Sequence, residues 1–125
     1  MVVSVGKEWT FDFEDGEDEI TKDFTYHPQG FYIYAFGMID SGSGTATVQF
    51  QGGWGDYWDT LFEADVSDTD DVVYLSATEN QSQEELSYLE GEQVPLIWPK
   101  HRFKVTRDSS DDNLTLKIFT REKYP

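Results

Sequence analysis

The chain has no cysteine, two histidines, four prolines and only nine lysines and arginines in 125 residues. Each shortage removes a class of chemistry. Without cysteine there is no disulfide, no thiolate metal site and no cysteine nucleophile. Of the two histidines, His27 falls in a His-Pro turn and His101 opens a basic strand, so no histidine-based metal pattern forms. Neither a phosphate-cradling glycine loop nor a nucleophile elbow is present. No apolar run approaches the roughly 20 residues that span a membrane. The N-terminal stretch MVVSVGKEWTF has neither the cationic start nor the long apolar core of a signal peptide. Paired carboxylates can cleave glycosides, but with 25 acidic side chains pairs arise by chance and mark no site. The expectation is a protein that is not an enzyme and carries no cofactor and no metal.

What the chain has is acid and aromatic. Its net charge is −16 and aromatic residues make up 16% of it. Such a charge discourages nucleic acid and anionic membrane as partners. The aromatic content rules out a disordered acidic tail. Two explanations of the acidity stand side by side. One is a solvated surface that prevents association; the other is adaptation to concentrated salt, where screening shortens to a few ångströms. The charge is also uneven. Residues 1–99 hold 21 acidic and 2 basic side chains, and residues 100–125 hold 4 acidic and 7 basic.

Alternation with period two dominates the pattern. Trp9, Phe11 and Phe13 share one face, and Ile20, Lys22, Phe24 and Tyr26 share another. An inward lysine at Lys22 predicts an edge strand, where it blocks sheet-to-sheet pairing. Residues 31–39 are apolar on both faces, which suits a central strand or one whose outer face meets a partner. Ala46, Val48 and Phe50 alternate with polar residues, and Trp58, Thr60 and Phe62 read as one inward face after a glycine turn. Val72–Ala77 reads as a strand, and Val94–Pro99 as an extended lead-in. Phe103 and Val105, then Leu114, Leu116 and Ile118, read as the inward faces of a terminal hairpin turning at 108–113. Ser82 with Glu85 fits a capping box, and Gly91 can end the helix predicted over 82–91. These features predict an all-β chain forming one domain over residues 1–125: an antiparallel β-sandwich of jelly-roll type, with eight or nine strands and one short helix.

Three clusters are candidate sites. Trp54, Tyr57 and Trp98 are the aromatics that would stack on a sugar if exposed and coplanar, whereas Trp58 is expected to plug the core. The acidic loops at Asp65, Asp68, Asp70, Asp71 and at Asp108, Asp111, Asp112 offer oxygens for calcium. They lack the central glycine of a dedicated calcium loop, so solvated turns are expected. On the outward face of the terminal hairpin Arg102, Lys104, Lys117 and Arg121 form a basic stripe. It is either an internal ion-pair surface or a dock for an acidic neighbour. Tyr32, Tyr34, Phe36 and Met38 form the face that would meet another subunit, or else the second layer of the sandwich.

The run Gly44-Thr-Ala-Thr-Val-Gln-Phe-Gln51, a glycine turn, then Tyr57-Trp58-Asp-Thr-Leu61, and later Val94–Thr106 with its Arg102-Phe103-Lys104-Val105-Thr106 strand, resembles a pattern in small β-sandwich structural proteins of tailed viruses. The turn departs from that pattern, and so does the insertion at 79–93. The resemblance implies a virion component: capsid decoration, turret, or head–tail or tail accessory protein. It implies a homo-oligomer docked on other capsid or tail proteins, located in the virion. With the acidity it suggests a virus of a salt-loving host. The alternative is a carbohydrate-binding module that attaches to a host glycan.

Overall fold

The structure, a computed structural model, describes residues 3–13, 17–24, 32–67, 73–78, 92–95, 98–109 and 113–124. Those residues form β1 (Val3–Asp12), β2 (Glu19–Asp23), β3 (Tyr32–Gly42), β4 (Thr45–Trp54), β5 (Tyr57–Ser67), β6 (Val73–Thr78), β7 (Glu92–Pro95), β8 (Lys100–Arg107) and β9 (Leu114–Tyr124). One sheet has the order β1-β9-β3-β6-β7, and the other the order β2-β8-β4-β5. Pairing is antiparallel except between β6 and β7, which run parallel. The expectation of a purely antiparallel sandwich is corrected at that one edge. The helix expected over 82–91 lies outside the described residues, and so does His27.

The faces follow the alternation. Trp9 and Phe11 on β1 and Leu114, Leu116 and Ile118 on β9 line the inside of the first sheet, all buried. Ala46, Val48 and Phe50 on β4, Phe62 and Val66 on β5, and Phe103 and Val105 on β8 line the inside of the second. Aromatic rings tie the two layers together. Trp9 lies 4.8 Å from Phe24 and 5.5 Å from Phe103 between centroids, in tilted and edge-on geometry. Each such side chain contributes about 1.5–3 kcal/mol through burial. The Trp9 indole donates to Thr120 Oγ1 at 2.8 Å, so its buried N–H is satisfied. Lys22 behaves as an edge lysine: β2 is an edge strand, and the ammonium sits 5.6 Å from the Phe11 ring centroid.

Two departures from the expected faces matter for the surface. First, β8 and β9 are not a hairpin. They belong to different sheets, so the chain passes from one sheet to the other between Arg107 and Leu114. Asp108 N–H donates to Thr45 O and Ser43 N–H to Asn113 O, which binds this crossing to the β3–β4 crossing. Gly42, at φ 82°, accommodates the meeting; a Cβ there would lie 2.1 Å from Asn113 O. Second, β5 carries a bulge. Phe50 pairs with Phe62 but Gln51 pairs with Thr60, so Leu61 is the extra residue. A one-residue slip exchanges the two faces of a strand. Beyond the bulge Trp58 and Thr60 therefore point away from the core, while Phe62 remains inside.

Candidate functional site: the hairpin end and two basic faces

The end of the β4–β5 hairpin carries different chemistry on its two sides. On the outer side Trp58 faces Gly53 across the pair, where a Cβ would come within 2.7 Å of the indole. Lys100 Nζ lies 4.5 Å from the Trp58 ring centroid, and Arg102 Cζ lies 4.1 Å from it. Trp58 is thus a platform for the protein's own cations, a correction to the expectation that it plugs the core. The cause is the Leu61 bulge. Lys100 Nζ also donates to Gly55 O, anchoring the turn to β8. A polar row continues down the sheet. Arg102 Nε donates to Gln51 Oε1 at 2.7 Å, Gln51 Nε2 to Thr60 Oγ1 at 3.1 Å and Gln49 Oε1 at 3.3 Å, and Gln49 Nε2 to Glu63 Oε1 at 2.6 Å. Sequence reading missed this row. Its one signal was the adjacent apolar pair Leu61-Phe62, which breaks the alternation.

On the other side of the same hairpin end are Trp54, Tyr57 and Trp98. Trp54 and Tyr57 are cross-strand partners and are 69% and 61% exposed. Trp98 is half-buried and seats its indole on Gly52, which leaves no room for a side chain. The Tyr57 and Trp98 rings are 6.1 Å apart at 31°. The structure thus brings together the three aromatics expected as a stacking set, though Tyr57 and Trp98 are tilted rather than coplanar. Asp59 follows Tyr57 on the same strand face, and Asp56 is exposed in the turn.

The basic stripe is divided. Arg102 and Lys104 project from the outside of the β2-β8-β4-β5 sheet, while Lys117 and Arg121 lie on β9 in the opposite sheet. The expectation of a single stripe on one hairpin is corrected for the same reason as the hairpin itself. Lys104 Nζ pairs with Glu19 at 3.0 Å. Lys117 Nζ pairs with Glu8 at 3.0 Å and Asp40 at 3.6 Å. These contacts raise the Lys117 pKa above the ordinary lysine value, the hydrogen bond that Lys117 donates to Glu8 first and the charge of Asp40 next. Asp40 reaches it because it is the extra residue at a second bulge, between Ile39 and Ser41 on β3. Tyr32, Tyr34 and Phe36 hold register positions opposite Lys123, Arg121 and Phe119 on β9.

His101 is not part of a basic surface. It is 1% exposed, and its ring stacks parallel to Phe50 at 5.4 Å. Of the acidic-loop residues, Asp65 and Asp108 are brought together. Both have a carboxylate oxygen 2.9 Å from Thr47 Oγ1, whose single proton can be donated to one of them at a time. Asp65 belongs to β5 rather than to a loop, and Asp68, Asp70, Asp71, Asp111 and Asp112 lie outside the described residues. Among the described residues no three histidine, aspartate or glutamate side chains gather in a metal-binding group. A shallow, open depression of about 360 Å³ is lined by Gly6, Lys7, Glu8, Phe119 and Thr120.

No protein-family model matches the sequence, and no curated protein matches it. Solved structures share the fold. A chain from the disulfide-linked pili of Bacillus endospore appendages superimposes with a TM-score of 0.55 at 13% identity, over 99% of this chain and 86% of the other. The Yersinia pseudotuberculosis-derived mitogen gives 0.50 at 14% identity, over 96% and 86%. A chain of the nora virus structure gives 0.50 at 13% identity, over 97% of this chain and 56% of the other. At these identities the likeness establishes an all-β, two-sheet architecture and nothing finer.

Proposed function

We propose that this chain is a non-enzymatic structural protein of a virion, serving as capsid decoration, turret, or head–tail or tail accessory. In this reading it self-associates, docks on other virion proteins and is adapted to salt. The observation that carries the reading is a sandwich filled by its own side chains that nonetheless displays two large aromatics, Trp54 and Tyr57, at the end of the β4–β5 hairpin. A filled interior leaves the surface as the working part, and exposed aromatics favour adhesion. The order β1-β9-β3-β6 facing β2-β8-β4-β5, with β7 added at one edge, supports the reading of a jelly-roll wind. Such winds serve in viral capsid and lectin domains. The fold likeness to chains of nora virus and of an endospore pilus agrees with an assembly role. Without cysteine, assembly here depends on non-covalent contacts rather than disulfide links.

Salt adaptation is supported by how the cations are used. Lys104, Arg107 and Lys117 are each engaged by the protein's own carboxylates, so the surplus acid is left to the solvent. Light scattering across a salt series tests both claims. Between about 0.1 and about 1 M salt the Debye length falls from about 10 to about 3 Å, and the mass is expected to rise from monomer to oligomer. Lys104→Glu and Lys117→Glu should keep the circular-dichroism spectrum and lose the oligomer. A monomer at every salt concentration overturns the reading.

The exposure of Trp54 and Tyr57 beside Trp98 favours a second reading, a carbohydrate-binding module for host-surface attachment. Glycan-array binding that disappears in Trp54→Ala is its expected result; no retention of any glycan ends it.

A further inference from the structure

The two sides of the hairpin end use aromatic rings in opposite ways. Cation–π contacts among the described residues fall on Trp9, under Lys7 at 3.9 Å, on Phe11, under Lys22 at 5.6 Å, and on Trp58, under Lys100 and Arg102. The protein thus places its own cations on rings repeatedly. On the opposite side, Trp54 and Tyr57 stand open to solvent next to Trp98, with the carboxylates of Asp59 and Asp56 close along the chain. That side has the ring faces and the negative charge of a cation-binding surface.

We propose that the Trp54–Tyr57–Trp98 side of the hairpin binds arginine side chains of a basic protein partner. The proposal rests on the reading of this chain as a docking protein and names the chemistry of what it docks on. A guanidinium is planar and weakly hydrated, so it stacks on indole and phenol faces while its edge donates to carboxylates. Asp59, on the strand face shared with Tyr57, and Asp56, in the adjoining turn, are the carboxylates nearest these rings along the chain. Charge selects the partner. The chain carries −16. Five of its cations are engaged within the chain: Lys100 by Gly55 O and Trp58, Arg102 by Gln51, Lys104 by Glu19, Arg107 by Asp18, and Lys117 by Glu8 and Asp40. A second copy meeting this side would bring carboxylate against carboxylate, so self-association uses another surface. A neutral glycan would occupy the rings but gain nothing from the charge.

The test uses the whole chain and two probes of equal charge, a deca-arginine and a deca-lysine peptide. Tryptophan fluorescence is titrated in about 0.5 M salt, where non-specific attraction is screened to a few ångströms. Deca-arginine is expected to bind about tenfold more tightly than deca-lysine, because only the planar cation stacks. In Trp54→Ala/Tyr57→Ala, whose replaced side chains are exposed, the ratio should fall to about one with the melting temperature unchanged. Asp59→Asn should weaken deca-arginine several-fold. Equal affinities in the unaltered protein overturn the proposal, and so does a preference that survives the double substitution. Binding of a neutral cello-oligosaccharide, or a concentration-dependent dimer, that is abolished by the same double substitution overturns it in favour of a glycan or a second copy. The salt-dependent oligomer is measured without touching Trp54. Its absence beside an intact arginine preference overturns the self-assembly reading and spares this one.

Discussion

Gly52 is the position where one added methyl group most directly tests the hairpin architecture. A Cβ on Gly52 would lie 2.4 Å from both Cδ1 and Cγ of Trp98 and 2.9 Å from its Cβ. Carbon atoms in contact sit about 3.5–4.0 Å apart, so the overlap exceeds 1 Å by this yardstick and falls on the stiff root of the indole. The ring cannot swing aside at its tip; it must leave its seat. Gly52→Ala is therefore expected to cost about 1–3 kcal/mol, the range for forcing extra volume into a packed site. For a chain of this size that corresponds to a fall in melting temperature of roughly 5–10 °C. Scanning calorimetry measures it, and Gly6→Ala is the control, since a Cβ there meets nothing within 4 Å. A double-mutant cycle with Trp98→Ala isolates the cause: once the indole is gone, the methyl should cost little, giving a coupling of about 1 kcal/mol or more. A Gly52→Ala protein that melts within about a degree of the parent would refute the account of Trp98 as seated on bare backbone.

Phe50→Ala removes a ring with no exposed surface that contacts Phe103 and Phe24 and stacks on His101. Its expected cost is about 3–5 kcal/mol in urea denaturation, and a loss below about 1 kcal/mol would argue against its place at the centre of the core. Lys117 gives a pH prediction. Its pKa is raised in the folded chain, so its contribution is fully present below the ordinary value of 10.5 and is lost as pH climbs through the higher folded value. The stability difference between the parent and Lys117→Met should thus be level up to that point and shrink above it. A difference that stays level into stronger alkali would deny the pairing with Glu8 and Asp40.

The strand faces were legible because a half-buried strand writes its orientation into every second residue. Trp9 and Phe11, Ala46 to Phe50, Phe103 and Val105, and Leu114 to Ile118 all lie where alternation places them. Lys22 was legible as an edge residue for a similar reason: a lysine on the inward face is tolerable only where its ammonium can escape. What alternation does not encode is which strand lies alongside. β8 and β9 read as a hairpin because they are separated by a short polar loop, yet that loop is long enough to cross between sheets. A polar turn of six residues is compatible with either course. The difference is set by remote groups, Ser43 and Thr45, whose backbone bonds to Asn113 and Asp108 hold the crossing.

The site was misread for a related physical reason. Alternation carries an orientation forward only while the register is unbroken, and a single extra residue reverses all that follows. Leu61 is that residue, and half-burying it costs the chain little, so only the adjacent apolar pair Leu61-Phe62 announces it. Trp58 consequently left the core for the outer face, where two cations cover it. The same reversal that took Trp58 out put Tyr57 and Asp59 on the side shared with Trp54 and Trp98. The bulge therefore sorts the hairpin's aromatics into one set already occupied by cations and one set left open. Deleting Leu61 would undo both assignments together, because a single ladder cannot keep one face while reversing the other.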